Sequence, residues 1–561
     1  MRVVLVVCAL LAGCGEVVKT QPDAPIDADP CATNTCECTP ETEATDCGQY
    51  EVCDVSGSGR VCACAPAYAE MNGACVFAGA PADRGMAELT TWQISGTDIT
   101  LDPSAAGNVD GGEASIGVEG VCSFASLTQT FTMPPRARSQ PFKIAITHTA
   151  DDPVFPPVLS ATTLQVRVGN QWFDMPVSRN VYRTDTFCLG ESAYGGDVEF
   201  AVSSFGATEC GQQTAARIRV DQIAVRVADP GECPEPGAIP NGDFEAASNW
   251  TFTTGGTATA AITATDGEGT SRGALLSLPD RCARASMVGA IAVPSGAGRA
   301  LEVYTRGSGS SSRVAVKFAD RPVATLQVTT QARSQRICIP SWAQGTTLNL
   351  TLATERSQDN TCSAAPRQIA FDNIRIVDEP TCMDGPLTDP GFERITNVTG
   401  PATGWVLNND VVNNLEPGIA QVLNSAPSAQ TGSGSLRLST NNECASSPSA
   451  AVAFTVPAAV GSAGPAVKVF GNAPANPRTT PFVALGLGAP LFTFRSEVPE
   501  TGSYVEVIRC IPPALSGRRL DLFLTMQDDD GGACQPAMPP PTESVAYDSV
   551  SVTTDPSCPA Q

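Results

Sequence analysis

Three short stretches decide how this chain folds: Val220-Asp221-Gln222-Ile223-Ala224-Val225, Phe371-Asp372-Asn373-Ile374-Arg375-Ile376 and Tyr547-Asp548-Ser549-Val550-Ser551-Val552. Apolar residues fall at every second position in each, the period of a half-buried strand, yet each holds an Asp, a residue that strands usually avoid. A cysteine follows every copy, at Cys233, Cys382 and Cys558. An Asp held at one inward or edge position in all three copies requires a partner.

Outward from these closing strands, the chain repeats as whole units. Four cysteines recur in the same context: Cys122, Cys188, Cys210 and Cys233, then Cys282, Cys338, Cys362 and Cys382, then Cys444, Cys510, Cys534 and Cys558. The copies start roughly 160 residues apart, the span of a domain and not of a solenoid repeat. A strand ends in an apolar residue and Pro at Met133-Pro134, Val293-Pro294 and Val456-Pro457. Alternation returns at Val198, Phe200 and Val202, at Leu348, Leu350 and Leu352, and at Leu520, Leu522 and Leu524. Many short strands, polar Gly/Ser/Pro loops and no sustained helical period predict an all-β chain of three tandem β-sandwiches at residues 77–233, 234–382 and 383–558. Successive sandwich strands reverse direction, so the second and fourth cysteines of a copy fall at one end and the third at the other. This favours Cys188 to Cys233, Cys338 to Cys382 and Cys510 to Cys558, leaving Cys122 to Cys210, Cys282 to Cys362 and Cys444 to Cys534. Four cysteines allow three connectivities, and an uncounted strand would invert the parity.

Ahead of the copies the composition changes. Residues 1–13 carry a minimal charged start, an apolar run at Val3–Leu11 too short to span a bilayer, and Leu11-Ala12-Gly13-Cys14. Residues 14–30 are rich in Pro and Asp and form an expected tether. Eight cysteines then crowd into residues 31–76, the density of a unit stapled because its core is too small. The whole chain has 561 residues, 22 cysteines and a net charge of -24. The cysteines indicate an oxidising compartment, and the charge repels nucleic acid and anionic lipid.

The Leu-Ala-Gly-Cys tetrapeptide resembles the bacterial lipoprotein signal, which implies diacylation at Cys14 and attachment to a membrane through lipid alone; uncharged Gly15 favours the outer membrane. The run Cys38, Cys47, Cys53, Cys62, Cys64 and Cys75, with Tyr68 in its last loop, is similar to an EGF-like module. That resemblance implies Cys38 to Cys53, Cys47 to Cys62 and Cys64 to Cys75, and leaves Cys31 to Cys36. Ala67 departs from the glycine usual before the aromatic. In the repeats, Asn241-Gly242-Asp243-Phe244-Glu245 with Trp250, Asp389-Pro390-Gly391-Phe392-Glu393 with Trp405, Gly434-Ser435-Leu436-Arg437-Leu438 and the closing strands are similar to galactose-binding-like jelly rolls, notably the carbohydrate-binding modules of bacterial glycanases. The first copy has a weaker opening, Gly85-Met86-Ala87-Glu88 with Trp92. The combination of signal, tether, EGF-like unit and repeats resembles surface lipoproteins of myxobacteria.

The chemistry follows from what repeats. A single histidine, His148, rules out a repeated Ser-His-Asp triad or a His-based zinc site, and it reads as the solvent-facing end of a strand. The recurring acids lie on the first and last strands and form no cleft, so a non-enzymatic protein is expected. Trp92, Trp250 and Trp405 recur and read as core, whereas Trp172 and Trp342 do not and are the candidate platforms for stacking on a sugar ring. The jelly-roll resemblance implies a structural Ca²⁺ between first and last strands, at Glu245 with Asp372, Glu393 with Asp548, and Glu88 with Asp221. The alternative is that each Asp accepts hydrogen bonds from a neighbouring loop while Glu faces solvent. The expected partner is a glycan or a cell-surface protein, with a structural role in the envelope behind them.

Overall fold

The computed structural model describes residue 47 and residues 51–54, 61–64, 68–71, 74–77, 85, 86, 88, 90–95, 99–102, 112–118, 124–134, 141–150, 162–169, 171–175, 180–206, 216–309, 312–354, 362–382, 385–394, 402–408, 419–424, 429–440, 448–474, 479–486, 494–528 and 543–560. Cys14, Cys31, Cys36, Cys38, Cys122, Cys210, Cys444 and Cys534 lie outside them. The chain divides into two compact units, residues 1–78 and 79–561. In the first, Glu51–Asp54 pairs with Val61–Cys64 and Tyr68–Met71 with Ala74–Phe77, both antiparallel. Cys47 is joined to Cys62 and Cys64 to Cys75.

The second unit is three β-sandwiches of one topology. Their strands run Gln93–Val227, Trp250–Asp378 and Val406–Asp555, and each sandwich has two 5-stranded antiparallel sheets. Counted within each copy, the strand order is 1-4-9-6-7 in one sheet and 2-3-10-5-8 in the other. The tenth strand (Ala216–Val227, Ala364–Asp378, Glu543–Asp555) carries the recurrent Asp and lies at the centre of the second sheet. The apolar alternation points inward: Val198 and Phe200, Leu350 and Leu352, and Leu520, Leu522 and Leu524 are all buried.

Strands eight and ten both run antiparallel to strand five, so their ends coincide. There the second cysteine meets the fourth: Cys188–Cys233, Cys338–Cys382 and Cys510–Cys558. In the second sandwich Cys282 is joined to Cys362, closing 80 residues. Closing a loop of that length removes unfolded-state entropy worth about 4 kcal/mol in the chain-entropy account.

The sandwiches share buried contacts. Arg519, only 2% exposed, lies 4.3 Å over the ring of Trp342 and reaches the Trp172 carbonyl, while Arg518 donates to Gln165 Oε1. Arg321 of the second sandwich and Asp521 of the third form a 3.0 Å ion pair, buried on both sides. Gln171 Nε2 of the first donates to the Thr347 carbonyl of the second at 2.6 Å. Ala402 and Ala453 of the third continue the apolar core of the second. Removing one partner of a buried ion pair costs about 3–5 kcal/mol. Asp521→Ala should therefore lower the unfolding free energy by about that amount, and urea unfolding followed by Trp fluorescence should lose the single transition expected of a fused body.

His148 is fully buried, which corrects the expectation of a solvent-facing strand end. Its strand, Phe142–Ala150, turns Phe142, Ile144, Ile146 and His148 to one side, and that side is the core. Nε2 lies 2.8 Å from Asp185 Oδ2, and Arg183 bonds the other Asp185 oxygen. Burial lowers the imidazole pKa below its usual 6.5, outweighing the hydrogen bond and charge of Asp185; Arg183 lowers it further. The unfolded chain therefore takes up a proton that the folded chain refuses. This stability is present above pH about 6.5 and declines as pH falls through that value toward the lower folded pKa. His148→Gln should flatten the acid-side loss of Tm between pH 7.5 and 5.

Candidate functional site: the clasp of the third sandwich and its pocket

Three segments meet where the second and third sandwiches close: the opening turn, the turn before strand three, and the middle of strand ten. The opening turn places Phe244 and Phe392 at φ 54, and Met86 of the first copy at φ 52. A bulky residue at positive φ is strained. Complete burial compensates, with the Phe244 and Phe392 rings 5.2 and 4.9 Å from Trp250 and Trp405. Those indoles donate to the carbonyls of Asn241 and Asp389. The turn is then tied to strand ten, because Ile374 N donates to Gly242 O and Val550 N to Pro390 O, both at 2.8 Å. A Cβ on Gly242 would sit 2.2 Å from the Ile374 carbonyl, so only glycine allows this approach.

Strand ten is bulged at its Asp in the first copy and directly after it in the other two. The register with strand five shifts at Asp221 in the first copy, between Glu302 and Tyr304 in the second, and between Lys468 and Phe470 in the third. Asn373 and Ser549, the residues after Asp, take φ 48 and 49. The bulge frees the carboxylate to reach the turn before strand three. Asp548 Oδ2 accepts from Gln430 N and Thr431 N at 2.6 and 2.9 Å, and Oδ1 from Ser549 N. Asp372 Oδ2 accepts from Glu268 N and Ser271 Oγ, both at 2.8 Å, and Oδ1 from Asn373 N.

These donor sets do not fit a cation, because the N–H dipoles that point at each carboxylate would point at the ion too. Glu393 accepts from Ser433 N, Ser433 Oγ and Gly434 N. Burial would raise its pKa, but those bonds prevail and lower it. Glu245 faces solvent, as does Glu88, whose carboxylate accepts from Thr90 Oγ1. Asp221 is fully buried. Among the described residues the one grouping of three metal-type side chains is Asp280, Cys282 and Cys362, and its cysteines are joined in a disulfide. The arrangement of Asp372 and Asp548 is thus the loop-binding alternative, not the Ca²⁺ ligand set.

The sugar-platform assignment of Trp172 and Trp342 is corrected. Both are 8% exposed. The Trp342 indole donates to Ala453 O of the third sandwich, and Trp172 has Arg167 and Arg518 over its ring at 5.5 and 5.8 Å. They stack on arginines between sandwiches, and no face is left for a ligand. The sequence signal for this junction was Arg518-Arg519 at the head of an alternating apolar strand, a place where charge demands a buried partner.

Beside the third clasp lies a pocket of about 610 Å³ between segment 385–394 and Val550–Thr553 of strand ten. Leu387, Val550 and Val552 give it apolar lining, and Thr388, Ser551 and Thr553 supply hydroxyls. Asp389 is buried and accepts from Glu393 N, Arg394 N and Thr403 Oγ1; burial outweighs these bonds and pushes its pKa up to about 6. Arg394 donates to Cys338 Sγ and to Thr381 O, so the second sandwich holds one end of the pocket. Nothing in the sequence pattern marked Arg394, because its partners are distant in the chain.

No protein-family model and no curated protein sequence matches this chain. Among solved structures, it is similar to TmCBM61 in complex with β-1,4-galactotriose, at 10% identity and TM-score 0.21, over 26% of this chain and 97% of the other. It is also similar to the CBM22-1–CBM22-2 tandem of Paenibacillus barcinonensis Xyn10C, at 11% identity and TM-score 0.19, over 52% and 95%. A third is the family 11 carbohydrate-binding module of Clostridium thermocellum Lic26A-Cel5E, at 13% identity and TM-score 0.18, over 26% and 95%.

Asp548→Ala would remove the acceptor of three N–H groups, and because Gln430 and Thr431 are exposed, water replaces part of what each loses. The expected outcome is a drop of about 1–3 kcal/mol, with a wild-type Tm indifferent to millimolar Ca²⁺ and to chelator. A calcium-dependent Tm that vanishes in Asp548→Ala would overturn the loop-binding assignment.

Proposed function

We propose that this chain is a non-catalytic, extracytoplasmic glycan-binding protein, held to the outer membrane by lipid on Cys14 and carrying an EGF-like unit ahead of three fused jelly rolls. The pocket of the third sandwich carries this reading. Its volume of about 610 Å³ lies in the range of small-ligand sites, and apolar lining with a few hydroxyls suits a sugar ring, which offers C–H faces and hydroxyl edges. A non-catalytic role fits the carboxylates beside it. Asp389 and Glu393 turn their oxygens to the protein's own N–H and O–H groups, whereas a general acid must present its proton to the ligand.

A second reading, a rigid envelope spacer or protein-docking scaffold, is favoured by the buried junction of Arg519 with Trp172 and Trp342. Flexible beads would gain avidity from repetition, and fused ones would hold a fixed span. The test uses the whole mature chain, because the pocket is closed by residues of two sandwiches. On a glycan array, at least one glycan class should bind, and binding should be lost in Ser551→Trp, a change at an exposed pocket residue that should leave Tm intact. An array without binding would leave the spacer reading. Cys14→Ser should move the protein out of the membrane fraction, and unchanged partition would refute the lipid anchor.

A further inference from the structure

We propose that the pocket of the third sandwich selects uncharged sugar rings and rejects their carboxylated or sulfated counterparts; this rests on the glycan reading above. Recognition of an acidic sugar calls for a cation with free donors, best a guanidinium that can present two parallel N–H groups. Among the described residues Arg394 is the one cation lining the pocket. Its Nη1 is bonded to Cys338 Sγ at 2.7 Å and its Nη2 to Thr381 O at 3.0 Å, so both terminal nitrogens are held by the second sandwich. Turning the guanidinium to a ligand would break two bonds at a partly buried seam.

The remaining charge works against an anion as well. Asp389 and Glu393 both line the pocket, so its ionised side chains sum to a net negative charge at neutral pH, within a chain of net charge -24. Their oxygens are turned to the protein's own N–H and O–H groups and stay there. An incoming carboxylate or sulfate would therefore lose water, find the guanidinium anchored to the second sandwich at both terminal nitrogens, and meet like charge, which is how a site disfavours one ligand while tolerating its neutral twin. The Ser551 and Thr553 hydroxyls can donate and accept, so they serve a neutral ring in either sense.

The experiment is a titration of the whole mature chain with neutral hexose oligomers and with uronic acid oligomers of the same length and linkage, at low and high salt. The neutral series should bind more tightly by about tenfold or more at low salt, with the gap narrowing as salt rises. Ser551→Lys adds a free cation at an exposed pocket position and should close the gap by strengthening acidic oligomers, with Tm unchanged. Equal or tighter wild-type binding of the uronic acid oligomers would overturn the selectivity while leaving the glycan reading intact. Binding of neither series would overturn both.

Discussion

A buried carboxylate that accepts from backbone N–H groups is the fastening on which each described clasp depends. Asp548 and Asp372 are each fixed by three donors, two of them from the turn that leads into strand three. That turn would otherwise carry N–H groups with no strand to pair them, and the carboxylate, itself buried, needs donors to stay in the sheet. The bulge in strand ten is what makes the bond geometrically available, and the opening turn then packs against the same bulge through Ile374 N and Val550 N. Three segments distant in sequence are thereby fixed at one point. The acid is retained for the donors it satisfies, which explains how a strand tolerates Asp at its centre.

A second constraint acts between sandwiches. Arg519 is enclosed by Trp342 and the Trp172 backbone, and Arg518 by Gln165 and the Trp172 ring, where burial pulls its pKa down to about 9. Guanidinium stacks well on indole and is weakly hydrated for a cation, so it is the cationic side chain best suited to such a seam. The outer faces of the 1-4-9-6-7 sheets, which would be open in isolated modules, are used in part for this packing: Ala453 and Asp521 of the third sandwich lie under the second. Repetition has here produced one body with differentiated surfaces, and equivalent positions in the three copies no longer have equivalent exposure.

The pocket of the third sandwich follows from both constraints. Its floor is the clasp, and its end is closed by Arg394, tied to the disulfide-bonded Cys338 and to Thr381. Asn241 of the second sandwich caps its turn as Asp389 does in the third, bonding Ala246 N and the carbonyls of Ala246 and Ser248. One local design thus supports a neutral cap in one copy and an ionisable one beside a pocket in another.

The sequence by itself determined the class and count of the sandwiches, because inward alternation and domain-length cysteine recurrence are local signals that a sheet must obey. It also placed Trp250 and Trp405 in the core and left Cys188–Cys233, Cys338–Cys382 and Cys510–Cys558 as the favoured pairing, since strand reversal fixes which ends coincide. It offered two partners for the recurring Asp, cation or loop, and could not choose, because the choice depends on a bulge that redirects a side chain without changing the pattern of residues. Only the tertiary structure showed the loop donors on Asp372 and Asp548, and only it removed Trp172 and Trp342 from the ligand candidates. Those two are unmatched between copies because they meet another sandwich, and a contact between residues some 170 to 350 positions apart, such as Trp172 with Arg519, leaves no periodic trace along the chain. His148 was misplaced for a related reason: polar identity suggested solvent, while strand phase, shared with Ile144 and Ile146, put it in the core beside Asp185.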